Sequence, residues 1–86
     1  MNEGSRERAN SLLASVAERT RGDEVWMGSI VALGSELGFG SPIETARAVR
    51  ALITRGRLEA VGDGYRLLDA RPIEAGERTA PEYRTP

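Results

Sequence analysis

The sequence predicts a mostly α fold closed by a small β-hairpin. Three observations carry this. Apolar residues recur at helical spacing in three stretches, serine and glycine signals bracket those stretches, and after Gly56 the period switches from helical to alternating. With 86 residues the chain has room for one small domain and a modest core, but little for an enclosed catalytic pocket. Residues 1–4 read as a flexible leader, 5–69 as the domain, and 70–86 as a disordered or extended tail, because that last stretch is rich in Pro, Glu, Arg and Thr without periodicity.

The first helix is expected from about Arg6 to about Thr20. Ser5 is its N-cap, Leu12, Leu13, Val16 and Ala17 form its apolar stripe, and Gly22 is the stop. "EVWM" between glycines suits a short strand that sinks Trp26 into the core. The second helix follows Ser29, with Ile30, Leu33, Gly34 and Leu37 at i, i+3, i+4 and i+7 and Gly38 as its left-handed end. Gly34 on that apolar face implies close approach of a neighbouring helix. The third helix opens with a capping box, Ser41-Pro42-Ile43-Glu44, and ends at Gly56. Its buried stripe is Ala46, Val49, Leu52 and Ile53, which leaves Thr45, Arg47, Ala48, Arg50, Ala51 and Thr54 outside or on the margins. "RLEAV", "GDG" and "YRLLD" then make a hairpin, with Asp63-Gly64 as the turn pair. Helix, short strand, helix, glycine-containing turn, helix and hairpin is the order of a winged helix-turn-helix, with a wing of two or three strands.

Composition narrows the function. There are no cysteines and no histidines, so disulfides, thiolate sites, Ser–His acyl transfer and histidine-held zinc are excluded, and no enzyme, cofactor or metal site is expected. Neither a bilayer-spanning apolar run nor a secretory leader pattern is present, so the cytoplasm is the expected compartment. The net charge of −1 hides an uneven distribution. Residues 1–40 hold four arginines against six acids, whereas residues 41–68 hold five arginines against three. A local positive module suits phosphate even where the total does not.

"GDEVWMGSIVALGSELGF" followed by "ARAVRALITRGRLEA" and "GYRLL" resembles the N-terminal domain of the phenylacetate-degradation repressor (PaaX-like) family, over roughly residues 9–68. The most specific part is Gly22, Glu24, Val25, Trp26, Gly28 and Ser29. The resemblance implies a winged-helix DNA-binding domain of a bacterial transcriptional repressor. The turn before the third helix reads as one residue longer than the family's, so its DNA-facing residues are not carried over. Neither is the family's acyl-CoA effector.

The N-terminal half of a recognition helix meets base edges. This singles out Pro42, Ile43, Thr45, Ala46 and Arg47, with Arg50 one turn on. The candidate DNA-binding residues are Thr45, Arg47 and Arg50 on the third helix, and Arg57 and Arg66 on the wing strands. Arginine suits both guanine edges and phosphates, through its forked donors. Because Leu12, Leu13, Val16 and Ala17 exceed one narrow stripe, helix 1 is a candidate homodimer contact, and the tail is the other. The rival to double-stranded DNA is a protein partner docked on a winged helix that never meets nucleic acid, an option that the mildly acidic pI of about 5.5 favours.

Overall fold

The computed structural model describes residues 1–20 and 24–77. Its elements are α1 (Glu3–Arg19), β1 (Val25–Trp26), α2 (Ile30–Glu36), α3 (Pro42–Thr54), β2 (Leu58–Val61) and β3 (Gly64–Leu67). Three helices and a three-stranded antiparallel sheet, in this order, make the winged-helix-like layout that the sequence predicts.

Two of the three helix starts follow the sequence signals. The Ser29 hydroxyl accepts from Ala32 N–H at 3.1 Å, and the Ser41 hydroxyl accepts from Glu44 N–H at 3.4 Å, although the Glu44 carboxylate turns to Arg8 and Arg47 instead of closing the expected capping box. α1 begins earlier than expected. Asn2, as good a cap as serine, accepts from Ser5 N–H at 2.8 Å, so Ser5 lies inside the helix and Glu3 and Gly4 leave the leader. The Gly22 stop expected after α1 lies outside the described residues. Gly38 and Gly56 take the left-handed conformation, with φ of 84° and 73°. Phe39 N–H folds back to donate to Gly34 C=O at 2.9 Å.

The core gathers where α1 crosses α3. Leu12, Leu13, Val16, Leu52 and Leu58 are fully buried, with Ala9, Leu33, Ala48 and Val49 around them. Burying each of the larger side chains is worth about 1.5–3 kcal/mol. The four α1 residues Ala9, Leu12, Leu13 and Val16 are consumed by this core. Of the apolar surplus that marks helix 1 as a dimer contact in the sequence, Leu12, Leu13 and Val16 are thus buried inside the chain, while Ala17 is half-buried.

α3 is rotated by about one residue from the expected stripe. Its buried face is Thr45, Ala48, Val49 and Leu52, while Ala46 is exposed and Ile53 half-buried. Gly34 explains the rotation. A Cβ placed there would lie 2.0 Å from Thr45 Oγ1 and 2.8 Å from its Cγ2, so Thr45 occupies the space that a side chain on α2 would fill. The close helix approach expected from Gly34 is therefore met by a polar residue, whose hydroxyl donates to Ser41 C=O at 3.5 Å.

The sheet order is β1-β3-β2. β3 is central, with Trp26 opposite Tyr65 on one side and Leu58 opposite Leu67 on the other. Trp26 is half-buried against the core rather than sunk within it. Val61 pairs with Gly64, so the turn pair is Gly62-Asp63, one residue before the expected Asp63-Gly64. Gly62 takes φ of 58° at the first central position, as a type II′ turn requires. Gly64 is needed elsewhere: a Cβ there would fall 2.5 Å from Met27 Sδ and 2.6 Å from Trp26 C=O.

Residues 70–77, expected to belong to the tail, form a strap packed on the domain. Ile73 is buried in the core. Asn10 grips its backbone twice, donating to Ile73 C=O at 3.1 Å and accepting from Ile73 N–H at 2.7 Å. Residues 78–86 of the expected tail lie outside the described residues.

Arg57 closes the strap. Its guanidinium donates to Arg71 C=O at 2.8 Å, Arg55 C=O at 2.9 Å and Pro72 C=O at 3.0 Å, and it meets both carboxylate oxygens of Glu77, one at 2.8 Å. The hydrogen bonds from Arg57 hold the Glu77 carboxyl below its ordinary value of 4.5. A depressed carboxyl stabilises the folded chain above its unfolded value, and that contribution is lost as pH falls through the folded value. We therefore expect the stability gap between the native chain and Glu77→Gln, read from urea midpoints, to be full at neutral pH. It should close at successive pH values below 4.5. A pH-independent gap would show that the pair contributes nothing to acid sensitivity.

Candidate nucleic-acid interface

The rotation of α3 decides which of its residues face outward. Ile43, Ala46, Arg47 and Arg50 are all exposed and fall at i, i+3, i+4 and i+7, so they share one face of the helix. Pro42 at the first helical position is exposed beside them. Ile43 is 63% exposed, among the largest values for an apolar side chain here. On α2, Val31 is also exposed and shares a shallow cleft with Phe39, Ser41 and Pro42 at the start of α3.

Two of the five expected DNA-binding residues are corrected by burial. Thr45 is 2% exposed and faces Gly34, so its hydroxyl reaches no groove. Arg57 is 5% exposed, and its donors are directed into the strap, so it holds protein carbonyls and Glu77 rather than a phosphate. Its position beside the wing strand is readable from the sequence. The strap acceptors are not, because they lie 14 to 20 residues further on.

The other three remain at the surface. Arg47 has a side chain 74% exposed and only a loose 3.5 Å contact with Glu44 on the preceding turn. Arg50 is exposed and makes no hydrogen bond or ion pair among the described residues. Arg66 bridges to Glu59 at 2.8 Å, its cross-strand neighbour in the β2–β3 register. Exposed pairs of this kind are worth about 0–1 kcal/mol.

Glu44 is the one acidic residue within α3. Its carboxylate is held between Arg8 of α1 at 3.0 Å and Arg47 at 3.5 Å, which neutralises it and leaves the face positive through Arg47 and Arg50. Arg8 at this corner is a cation that sequence reasoning does not bring to α3. Nothing local to α1 signals the contact, which arises only when the two helices cross.

Ile43 and Ala46 are singled out in the sequence by their place in the first turns of the third helix. The helical period, however, puts Ala46 among buried residues, and the rotation of α3 brings it out. Among the described residues no group of three or more His, Cys, Asp or Glu could hold a metal ion. No helix among them is long and apolar enough to cross a membrane. In comparisons with protein-family models, curated proteins and solved structures, none matches this chain.

Proposed function

We propose that this chain binds double-stranded DNA as a winged helix-turn-helix and regulates transcription in the cytoplasm by occupying an operator, as a repressor. The observation that carries the reading is the outward face of α3, where Arg47 and Arg50 stand clear of the core on the helix that follows the glycine-containing turn. The sequence resemblance to the PaaX-like repressor domain supports it. A helix face of this width suits the major groove, and Arg66 on β3 suits a flanking phosphate. A palindromic operator would be read by two copies of the chain.

A second reading has one specific observation in its favour. Arg8, Arg19, Arg47, Arg66 and Arg71 at the surface are each paired with a carboxylate of the same chain. Such a surface also fits a module that docks a protein partner.

Binding to mixed-sequence duplex DNA over a salt series separates the two. We expect affinity to fall steeply with salt, and Arg47→Ala with Arg50→Ala to flatten the log–log slope by about 0.9 for each phosphate no longer neutralised. No duplex binding at low salt, or binding indifferent to salt, overturns the DNA reading. An unchanged slope in the double variant moves the contact off α3.

A further inference from the structure

We propose that Ile43 is a specificity-determining residue that reads the C5-methyl group of thymine in the major groove, an inference that rests on the DNA-binding reading above. Ile43 is 63% exposed on the second residue of α3, where a solvated isoleucine forgoes the burial that would otherwise stabilise the fold. Its neighbours at the base-facing end of the helix are Pro42 and Ala46, both exposed and both without side-chain hydrogen-bonding groups. Pro42 also lacks an N–H, and the Ser41 hydroxyl is engaged by Glu44 N–H. The start of α3 therefore offers few polar donors and a projecting hydrocarbon surface.

Among the base edges in the major groove, the thymine methyl is the feature that such a surface recognises. Isoleucine is well suited to it, since a β-branched side chain in a helix keeps essentially one χ1 rotamer and loses little freedom on contact. The charge arrangement favours a nucleic acid over an apolar protein surface. Arg47 lies beside this patch and Arg50 one turn beyond, while the nearby Glu44 is held between two arginines. At 1.5 Å rise per residue, Ile43 and Arg50 lie about 10 Å apart along the helix. At about 3.4 Å per base-pair step, that is roughly three base pairs, so thymine and the Arg50 contact fall within one half-site.

The test starts from duplexes selected out of a random library by the full chain. In the best-bound duplex each thymine is replaced singly by deoxyuridine, which removes only the methyl group, and affinities are measured for the native chain and Ile43→Ala. At one thymine or more the native chain should lose about fourfold, the equivalent of one buried methyl-sized group. Ile43→Ala should be indifferent to that same replacement while melting at the native temperature, as befits an exposed position. Duplex binding without a deoxyuridine effect, or with an equal effect in both proteins, overturns the thymine reading and leaves DNA binding standing. Failure to select any duplex at low salt overturns both.

Discussion

Arg57→Ala is expected to cost the fold about 3 kcal/mol, near the lower end for removing one partner of a buried ion pair, because Glu77 keeps some exposure. The single guanidinium serves three backbone carbonyls and a carboxylate, and its loss leaves them facing a void where donors stood. In a domain of this size that is a large share of a total of about 5–15 kcal/mol, and corresponds to a fall in melting temperature of about 15 °C. Arg57→Lys should recover only part of the loss, since one ammonium cannot span acceptors arranged around a planar fork. Urea unfolding of the three chains checks this. A loss below about 1 kcal/mol in the alanine variant would mean that the strap is held by Ile73 and Asn10 alone.

Gly34→Ala should destabilise by about 2 kcal/mol, although alanine is the better helix former by about 1 kcal/mol. The added methyl would meet Thr45 Oγ1 at 2.0 Å, with its Cγ2 and Cβ at 2.8 and 2.9 Å, so α2 and α3 must move apart. Adding Thr45→Ala removes the two outer atoms and should restore part of the stability, while leaving the Cβ contact. Thermal melts of the single and double variants decide it. A Gly34→Ala chain as stable as the native one would show that the α2–α3 contact yields without cost. Because the same contact sets the rotation of α3, the single variant should also weaken the proposed duplex binding through Ile43, Ala46, Arg47 and Arg50, none of which it touches.

How far the sequence can be read depends on the range of the interaction. Ser29, Ser41, Gly38 and Gly56 are local signals, decided by hydrogen bonds within one turn or by backbone conformation, and each does what its residue type implies. Asn2 and Ser5 are equal caps by residue type, three positions apart, so the sequence does not choose between them. The rotation of α3 is not legible, since periodicity counts Thr45 as polar and cannot weigh a glycine on another helix that makes room for it. Arg57 reads as a wing arginine for the same reason. Ile73 is a lone apolar residue in a stretch of low periodicity, and its place is given by the core and by Asn10, 63 positions away. Of the candidate site, Arg47, Arg50 and Arg66 stand at the surface as the sequence implies. Thr45 and Arg57 are drawn inward by segments distant in the chain.

The grip of Asn10 on Ile73 also bears on how the domain opens. Regular secondary structure and resistance to opening are often treated as one property, yet residues 70–77 have irregular backbone and are still tied to the middle of α1. Freeing the strap exposes the core side of α1, and fraying α1 as far as Asn10 removes one of the strap's two ties, Arg57 holding the other. The first helix and the last described segment are therefore expected to open together, which hydrogen exchange would report as matching protection. The hairpin tip at Gly62-Asp63 is exposed and has no such tie among the described residues, so its opening is expected to leave that pair undisturbed.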